Sequence, residues 1–99
     1  MSRVRKVGNY YIDDYQFGFK YSTDLRSWHE VSLGKSFNVL YAPGVYCLVH
    51  DREYILCSDL NNINNNVRRT KEFSVDRIEK DGNMVVGYSR WATGVERLD

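Results

Sequence analysis

Residues 45–57 read VYCLVHDREYILC, and this stretch decides the fold class. Two short apolar runs, 45–49 and 53–57, flank the polar residues His50, Asp51 and Arg52. Short apolar runs separated by a polar connector are typical of two strands paired as a β-hairpin. We therefore predict a hairpin here, with these three residues between its strands.

The same stretch holds both cysteines of the chain, Cys47 and Cys57. Since both lie in apolar runs, we interpret them as buried thiols. A loop of three residues would place them opposite each other, so a cross-strand disulfide is the alternative. Two cysteines in 99 residues are too few for a disulfide scaffold.

Alternation with a period of two continues outward from this hairpin. The segments 17–21 (FGFKY) and 37–41 (FNVLY) alternate in this way, which is typical of half-buried strands. Residues 73–79 and 84–91 flank Asp81-Gly82, a dipeptide that favours a type I′ turn, so they predict a second hairpin. The alternative takes Thr70 as a helix cap and places a short helix over 71–80.

The chain has 99 residues, enough for one domain with a modest core. Aromatic residues make up 14% of it, and eight residues are tyrosines, which favour strands. We predict a single all-β domain over 1–99. It should have about six to eight strands, built from successive hairpins into a small antiparallel sandwich or open barrel.

Residues 59–66 read DLNNINNN and predict a loop with a mobile tip. Asparagine side chains bond to their own backbone and favour turns over strand ladders. The loop is interpreted as a solvated connector, with a partner-contact loop as the alternative.

The chain also repeats itself at an offset of about 35 residues. Thr23-Asp24-Leu25 falls on Ser58-Asp59-Leu60, and Trp28 falls on Ile63. Upstream, Gly8 and the aromatic segment after it are echoed at Gly44, and a fainter third echo runs over 82–89. The pattern predicts a repeated unit: a glycine turn, an aromatic strand, a hairpin, and a second strand ending in a Ser/Thr-Asp turn.

The segment 21–28, YSTDLRSW, resembles a turn found in β-propeller blades. It is similar to the Ser-x-Asp-x-x-x-Trp turns of sialidase-like Asp-box repeats and to the Ser-x-Asp-Leu-x-x-Trp turns of five-bladed glycosidase propellers. The resemblance covers residues 8–63 and departs from the Asp-box in its shorter spacing and in Arg26, where glycine is common. It implies a hairpin architecture in which such turns are structural. The predicted structural turn residues are Ser22, Asp24 and Trp28 from this resemblance, Asp59 from the internal echo, and Asp81 and Gly82 from the hairpin turn.

A closed propeller needs about four or more blades of roughly 40 residues. Ninety-nine residues hold about two, so one chain cannot close the ring. Either the strands form a small sandwich or open barrel, or several copies share sheets in an oligomer. Exposed sheet edges need protection in both cases, which favours a partner.

Carboxylates give no sign of glycoside hydrolysis, which needs two of them placed across a cleft. Asp13-Asp14, Asp24 and Asp51 lie in predicted turns, where aspartates usually serve backbone geometry. We therefore assign no carboxylate a catalytic role.

Histidine and cysteine chemistry is equally sparse. His29 and His50 are the only histidines, and neither has a third group placed to orient it as a base. No Cys/His cluster predicts a metal, and no phosphate or dinucleotide motif predicts a cofactor. The expectation is a protein with no catalytic residue, metal or cofactor.

Two kinds of surface residue are candidates for binding a partner. Tyrosines are enriched at interfaces, although they serve equally well as strand and core residues. Clustered basic residues could contact an acidic protein or a phosphate backbone, although a solvated face explains them too. The candidates are Tyr10, Tyr11 and Tyr15, together with Arg68, Arg69 and Lys71.

The expected function is a non-enzymatic interaction or structural role, in a homo-oligomer or with a protein partner. Compactness and the lack of enzyme motifs suggest a small viral or phage protein, either a virion component or a host-defence antagonist. A nucleic-acid-binding accessory protein is one alternative, although the net charge is only +1. A carbohydrate-binding module that uses Trp28 or Trp91 is another.

No apolar run approaches the roughly 18 residues of a membrane span. Residues 1–6, MSRVRK, are basic without an apolar stretch behind them, so no secretory signal is expected. We expect a cytoplasmic protein, in the host cytoplasm or the virion if it is viral.

Overall fold

A computed structural model describes residues 4–65 and 68–97 and shows an all-β protein, as the alternation predicts. This part of the chain forms eleven strands, more than the six to eight expected, and one short 3₁₀ helix. None of the described residues forms a helix that is long and apolar enough to cross a bilayer. The elements are β1 (Val4–Val7), β2 (Tyr10–Tyr15), β3 (Gly18–Ser22), β4 (His29–Ser32), β5 (Asn38–Ala42), β6 (Val45–His50), β7 (Glu53–Cys57), the 3₁₀ helix (Leu60–Asn65), β8 (Arg69–Thr70), β9 (Arg77–Asp81), β10 (Met84–Tyr88) and β11 (Thr93–Arg97).

The strands form three antiparallel sheets, each made of consecutive strands. The first sheet has the order β1-β2-β3-β4, the second β5-β6-β7-β8, and the third β11-β10-β9. The echo at 35 residues corresponds to this architecture, since β2 and β3 shifted by 35 coincide with β6 and β7. The repeated unit is thus one four-stranded antiparallel meander, formed twice.

The second sheet lies between the other two. Its buried residues divide by alternation, because successive side chains of a strand point to opposite faces. One set, which includes Leu48, Ile55 and Cys57, packs with Ile12 and Phe19 of the first sheet. The other set includes Val45, Cys47 and Leu56, and it packs with Val75, Ile78 and Val85 at the third sheet. Sequence 45–57 is apolar on both faces because both faces are covered.

The hairpin of β6 and β7 forms as predicted, but its loop has two residues, Asp51 and Arg52. His50 pairs with Glu53, so Cys47 lies opposite Leu56 and Cys57 opposite Tyr46. This register places the two thiols in different cores, and both are free. The alternative of a cross-strand disulfide is therefore wrong.

The hairpin predicted at Asp81-Gly82 also forms, but its turn lies one residue later in the sequence than expected. Asp81 is the last strand residue and pairs with Met84, which leaves Gly82 and Asn83 as the turn. Gly82 has a φ of 59°, whereas Asn83 is not among the described non-glycine residues of positive φ. Positive φ at the first central residue alone is the pattern of a type II′ turn, so type I′ was wrong.

No helix forms over 71–80. The strand begins at Arg77, and the amide of Asp76 donates to the carbonyl of Tyr88 at 2.8 Å, which holds the segment against β10. Val75 and Ile78 are both buried in the core under the third sheet. Packing of these two side chains, with the ladder to β10, outweighs local helix propensity.

The asparagine-rich segment is more than a connector. Residues 60–65 form the 3₁₀ helix, and the side chains of Leu60 and Ile63 are buried in the core between the first and second sheets. The helix therefore closes one end of that core. The final asparagine of the predicted loop, at position 66, lies outside the described residues.

Candidate functional site

Tyr10, one of the candidate partner residues, packs into the core between the first and second sheets. Its hydroxyl donates to Asp59 Oδ1 at 2.5 Å, and its ring lies edge-on to Tyr21 at 5.1 Å between centroids. Burial first, then the hydrogen bond and charge of Asp59, raise the pKa of Tyr10 well above its usual range. Tyr10 therefore ties β2 to the turn before the 3₁₀ helix.

Tyr11 and Tyr15 lie on the opposite face of the first sheet, which no other sheet covers. The Lys6 ammonium lies 5.3 Å from the centre of the Tyr11 ring, and Tyr15 contacts Phe17 edge-on at 6.3 Å. Lys20 pairs with both Asp13 and Glu30 across the strands, so these charges share the face with the tyrosines. The outer face of the first sheet is thus densely charged.

The turn after β3 is held by the side chains of Ser22 and Asp24. Ser22 is buried, and its hydroxyl oxygen accepts the amide of Leu25 at 2.9 Å. Asp24 Oδ1 accepts the amides of Ser27 at 2.9 Å and Arg26 at 2.8 Å, and these bonds lower the pKa of the carboxyl. Asp24 therefore serves the backbone.

The neighbouring turn residues have structural surroundings as well. Trp28 is half-buried after this turn. Asp59 accepts the amide of Asn61 at 3.2 Å in addition to the Tyr10 hydroxyl. Both turn carboxylates are thus occupied by donors of this chain.

The three basic candidates contact groups of this chain, and Arg69 and Lys71 share the Tyr54–Glu96 pair. Arg68 donates to the carbonyl of Leu33 at 2.6 Å, and Arg69 lies 3.4 Å from a carboxylate oxygen of Glu96. Lys71 places its ammonium 5.5 Å from the centre of the Tyr54 ring. Each of these cations is thus engaged with a group of this chain.

A polar groove of about 500 Å³ lies at the tip of the β6–β7 hairpin. Glu53 bonds there to Lys35 at 3.1 Å and to Arg68 at 3.5 Å. His50 uses its Nδ1–H to donate to the carbonyl of Ser36 at 2.7 Å. The acid and the histidine are thus engaged with this chain's own groups. The groove is lined by Lys35, His50, Asp51, Arg52, Glu53, Thr70 and Lys71.

His29, the other histidine, stacks on Tyr21 at 5.1 Å between ring centres. Within residues 4–65 and 68–97, no three His, Cys, Asp or Glu side chains come together as a metal site.

We expect both thiols to be unreactive in the folded protein. Burial first, then Cys57, raise the pKa of Cys47 to about 12, and burial first, then Asp59, raise that of Cys57 to about 12. At pH 8 Ellman's reagent should label neither thiol without denaturant and both in concentrated urea. Because the folded pKa values are raised, the free energy of unfolding should also fall as pH rises above about 8.5. Rapid labelling of the folded protein would contradict the burial.

The surface best suited to recognition is the outer face of the third sheet. Val85 and Ile78 point inward to the core, so alternation points Met84, Val86 and Tyr88 outward. Val95 of β11 pairs with Val86 and shares this face, where it is 55% exposed. Met84, Val86, Tyr88 and Val95 are called the third-sheet face below.

Charged residues flank this apolar centre. The Arg77 guanidinium lies 4.5 Å from the centre of the Tyr88 ring, and the Tyr88 hydroxyl donates to Glu79 at 3.1 Å. That hydrogen bond raises the pKa of Tyr88. Asp81 and Arg97 pair with Met84 from its two sides, so they flank the other end of the face.

Trp91 stands at the turn between β10 and β11 and is 87% exposed. The amide of Ser89 donates to the carbonyl of Ala92 at 2.9 Å, and this bond closes the turn beneath it. The sequence analysis missed the third-sheet face because it did not predict β11. Without β11, nothing distinguished the inward from the outward residues of 84–91.

No family model matches the chain, and searches of curated proteins and of solved structures found no significant match. The functional interpretation therefore depends on the geometry of the surfaces described above.

Proposed function

We propose that this protein is a non-enzymatic interaction module that binds a protein partner through the third-sheet face. The observation that carries the proposal is the apolar centre of that face, which no described residue covers, on a sheet whose other face is packed in the core. Val95 and Trp91, at 55% and 87% exposure, are two large apolar side chains of this hairpin left in water.

The composition of the third-sheet face favours a protein partner. Interface centres are enriched in aromatic residues and methionine and depleted in charge, whereas their rims are polar. Met84, Val86 and Tyr88 form such a centre, and the charges lie on the flanking strands. The strands are held by paired ladders on both sides of β10, so the face is ordered before binding.

The other surfaces support this choice by contrast. The outer face of the first sheet carries a charged centre, with Lys20 between Asp13 and Glu30. Arg68 and Arg69 form ion pairs with Glu53 and Glu96, which reduces their positive potential toward nucleic acid. A role in a viral or phage assembly stays a prediction, and the proposal does not depend on it.

Site-specific photo-crosslinking tests the proposal in the source cells. A photoreactive phenylalanine analogue replaces Val95, and a matched control variant carries it at Lys20, on the outer face of the first sheet. We expect a discrete adduct of higher mass from position 95 and none from position 20. A Val86→Glu substitution should abolish the adduct, because it buries an unpaired carboxylate at the interface. Absence of an adduct at 95, or the same adduct at both positions, would overturn the proposal.

A further inference from the structure

We infer that the partner at the third-sheet face is a second copy of this chain, related by a two-fold axis parallel to β10. The inference rests on the proposed function and names its occupant. It follows from the order of side chains across the three strands of the sheet.

Cross-strand pairing arranges the outward side chains in three rows. The first row is Asp81, Met84, Arg97; the second is Glu79, Val86, Val95; the third is Arg77, Tyr88, Thr93. Each row has β10 at its centre, with β9 on one side and β11 on the other. The first row is therefore acidic at one end and basic at the other.

A two-fold axis parallel to β10 and lying between two such faces places β9 of each copy over β11 of the other. Asp81 of one copy then lies over Arg97 of the second, and the pair occurs twice by symmetry. The apolar side chains of β10 meet their own copies along the axis. Glu79 and Arg77 lie over Val95 and Thr93, so no like charges are opposed.

The other face-to-face arrangement has its two-fold axis perpendicular to the strands within the interface. It places each strand over its own copy in reverse order, so Asp81 lies over Arg77, but Glu79 then opposes Glu79. Arg97 would lie over Thr93. Like charges placed opposite each other at an interface are destabilising. Both axes give two pairs of opposite charge, but only the perpendicular axis opposes like charges, so the charge pattern favours the parallel axis.

A head-to-tail contact with the opposite end of the sheet stack is another way to cover the third-sheet face with the same chain. It would place the face against the outer surface of the first sheet, where Lys20 lies between Asp13 and Glu30. This contact would take the water from three charges at its centre, whereas the dimer has apolar side chains at its centre and places its charges on the flanking strands. The self-complementary face thus favours a closed dimer over a ring of several copies.

The size of the face predicts a reversible dimer. Three strands with five residues each span about 14 Å by about 17 Å, from the spacing of strands and the rise per residue. The face therefore covers about 240 Å². A standard interface buries roughly 800 Å² per partner, so this face is far smaller. Dimerisation should therefore depend on protein concentration and weaken in high salt, since two ion pairs flank its centre.

Sedimentation velocity of the purified chain over a wide concentration range tests the inference. We expect the weight-average mass to rise from one copy toward two and no further. Asp81→Lys and Arg97→Glu should each weaken dimerisation by about tenfold or more, and the double variant should recover it. Lys20→Glu, on the outer face of the first sheet, is the matched control and should leave the dimer constant unchanged. Circular dichroism melting of each variant verifies that it is folded.

A chain that stays monomeric at every concentration would overturn the homodimer. A photo-adduct at position 95 with a different protein would still support the proposed function in that case, so the two failures are distinguishable. A dimer that both single variants leave intact, or that the double variant fails to recover, would overturn the parallel two-fold arrangement. Masses beyond two copies would point to the ring and would also overturn it.

Discussion

Gly18→Ala should lower the free energy of unfolding by about 2–5 kcal/mol, the sum of backbone strain and overpacking. Gly18 begins β3 with a φ of 156°, and a β-carbon there would lie 2.0 Å from the carbonyl oxygen of Val31. Val31 belongs to β4, which pairs with β3, so the obstacle is backbone and cannot rotate away. Urea denaturation followed by tryptophan fluorescence measures the loss.

Gly34→Ala is the matched control for this change. Gly34 also has a positive φ, 84°, but an added β-carbon would meet nothing within 4 Å. It should therefore cost only the backbone term, about 1–2 kcal/mol. Equal losses for the two variants would show that the close approach of β3 and β4 is not what requires glycine at position 18.

Leu48→Ala should cost about 3–5 kcal/mol, because the side chain is fully buried and its removal leaves a cavity. Leu48 is on β6, at the centre of the middle sheet, and it packs toward the first sheet. A domain of this size has a total stability of about 5–15 kcal/mol. The variant should thus have a clearly lower urea midpoint and, if the total is at the low end, should be largely unfolded at 37 °C.

Leu25→Ala is the control that separates the effect of burial from the effect of removing a leucine side chain. Leu25 is 49% exposed, in the turn after β3, so its truncation should change the free energy of unfolding by less than about 0.5 kcal/mol. A loss at position 25 as large as that at position 48 would contradict the placement of the core between the first two sheets.

The large effect expected at Leu48 reflects the stacking of three small sheets. The middle sheet supplies side chains to both cores, so a defect in it disturbs contacts on two levels. The first and third sheets each have one packed face and one open face. The open face of the first sheet is charged and suits water, whereas the third-sheet face is apolar at its centre. The difference between them is what favours association at one end of the stack.

Local features of the sequence were sufficient to predict the fold class. Period-two alternation in 17–21 and 37–41, the apolar runs of 45–57 and the Gly82 turn all mark strands or hairpins, because the strand pleat and turn backbone depend on neighbouring residues. The echo at 35 residues predicted a repeated unit, and the repeat of β2 and β3 as β6 and β7 is that unit.

Short strands escaped the sequence analysis. β1, β4, β8 and β11 have between two and five residues and carry few large apolar side chains. Such segments have little intrinsic preference for the strand conformation. They become strands because the edge of a neighbouring strand offers them hydrogen bonds. The number of strands was underestimated for this reason.

The sequence by itself determined that this chain is built from antiparallel hairpins, since alternation and turn residues act over a few neighbours. Only the tertiary structure decided which side of each strand is covered. A two-residue loop at Asp51 and Arg52 sends Cys47 and Cys57 into separate cores, and stacking puts Tyr10 inside while Tyr11 lies outside. The pairing of β11 with β10 turned Val86 and Val95 into one exposed patch. Such choices depend on register and on contacts between residues distant in sequence, which no local pattern encodes.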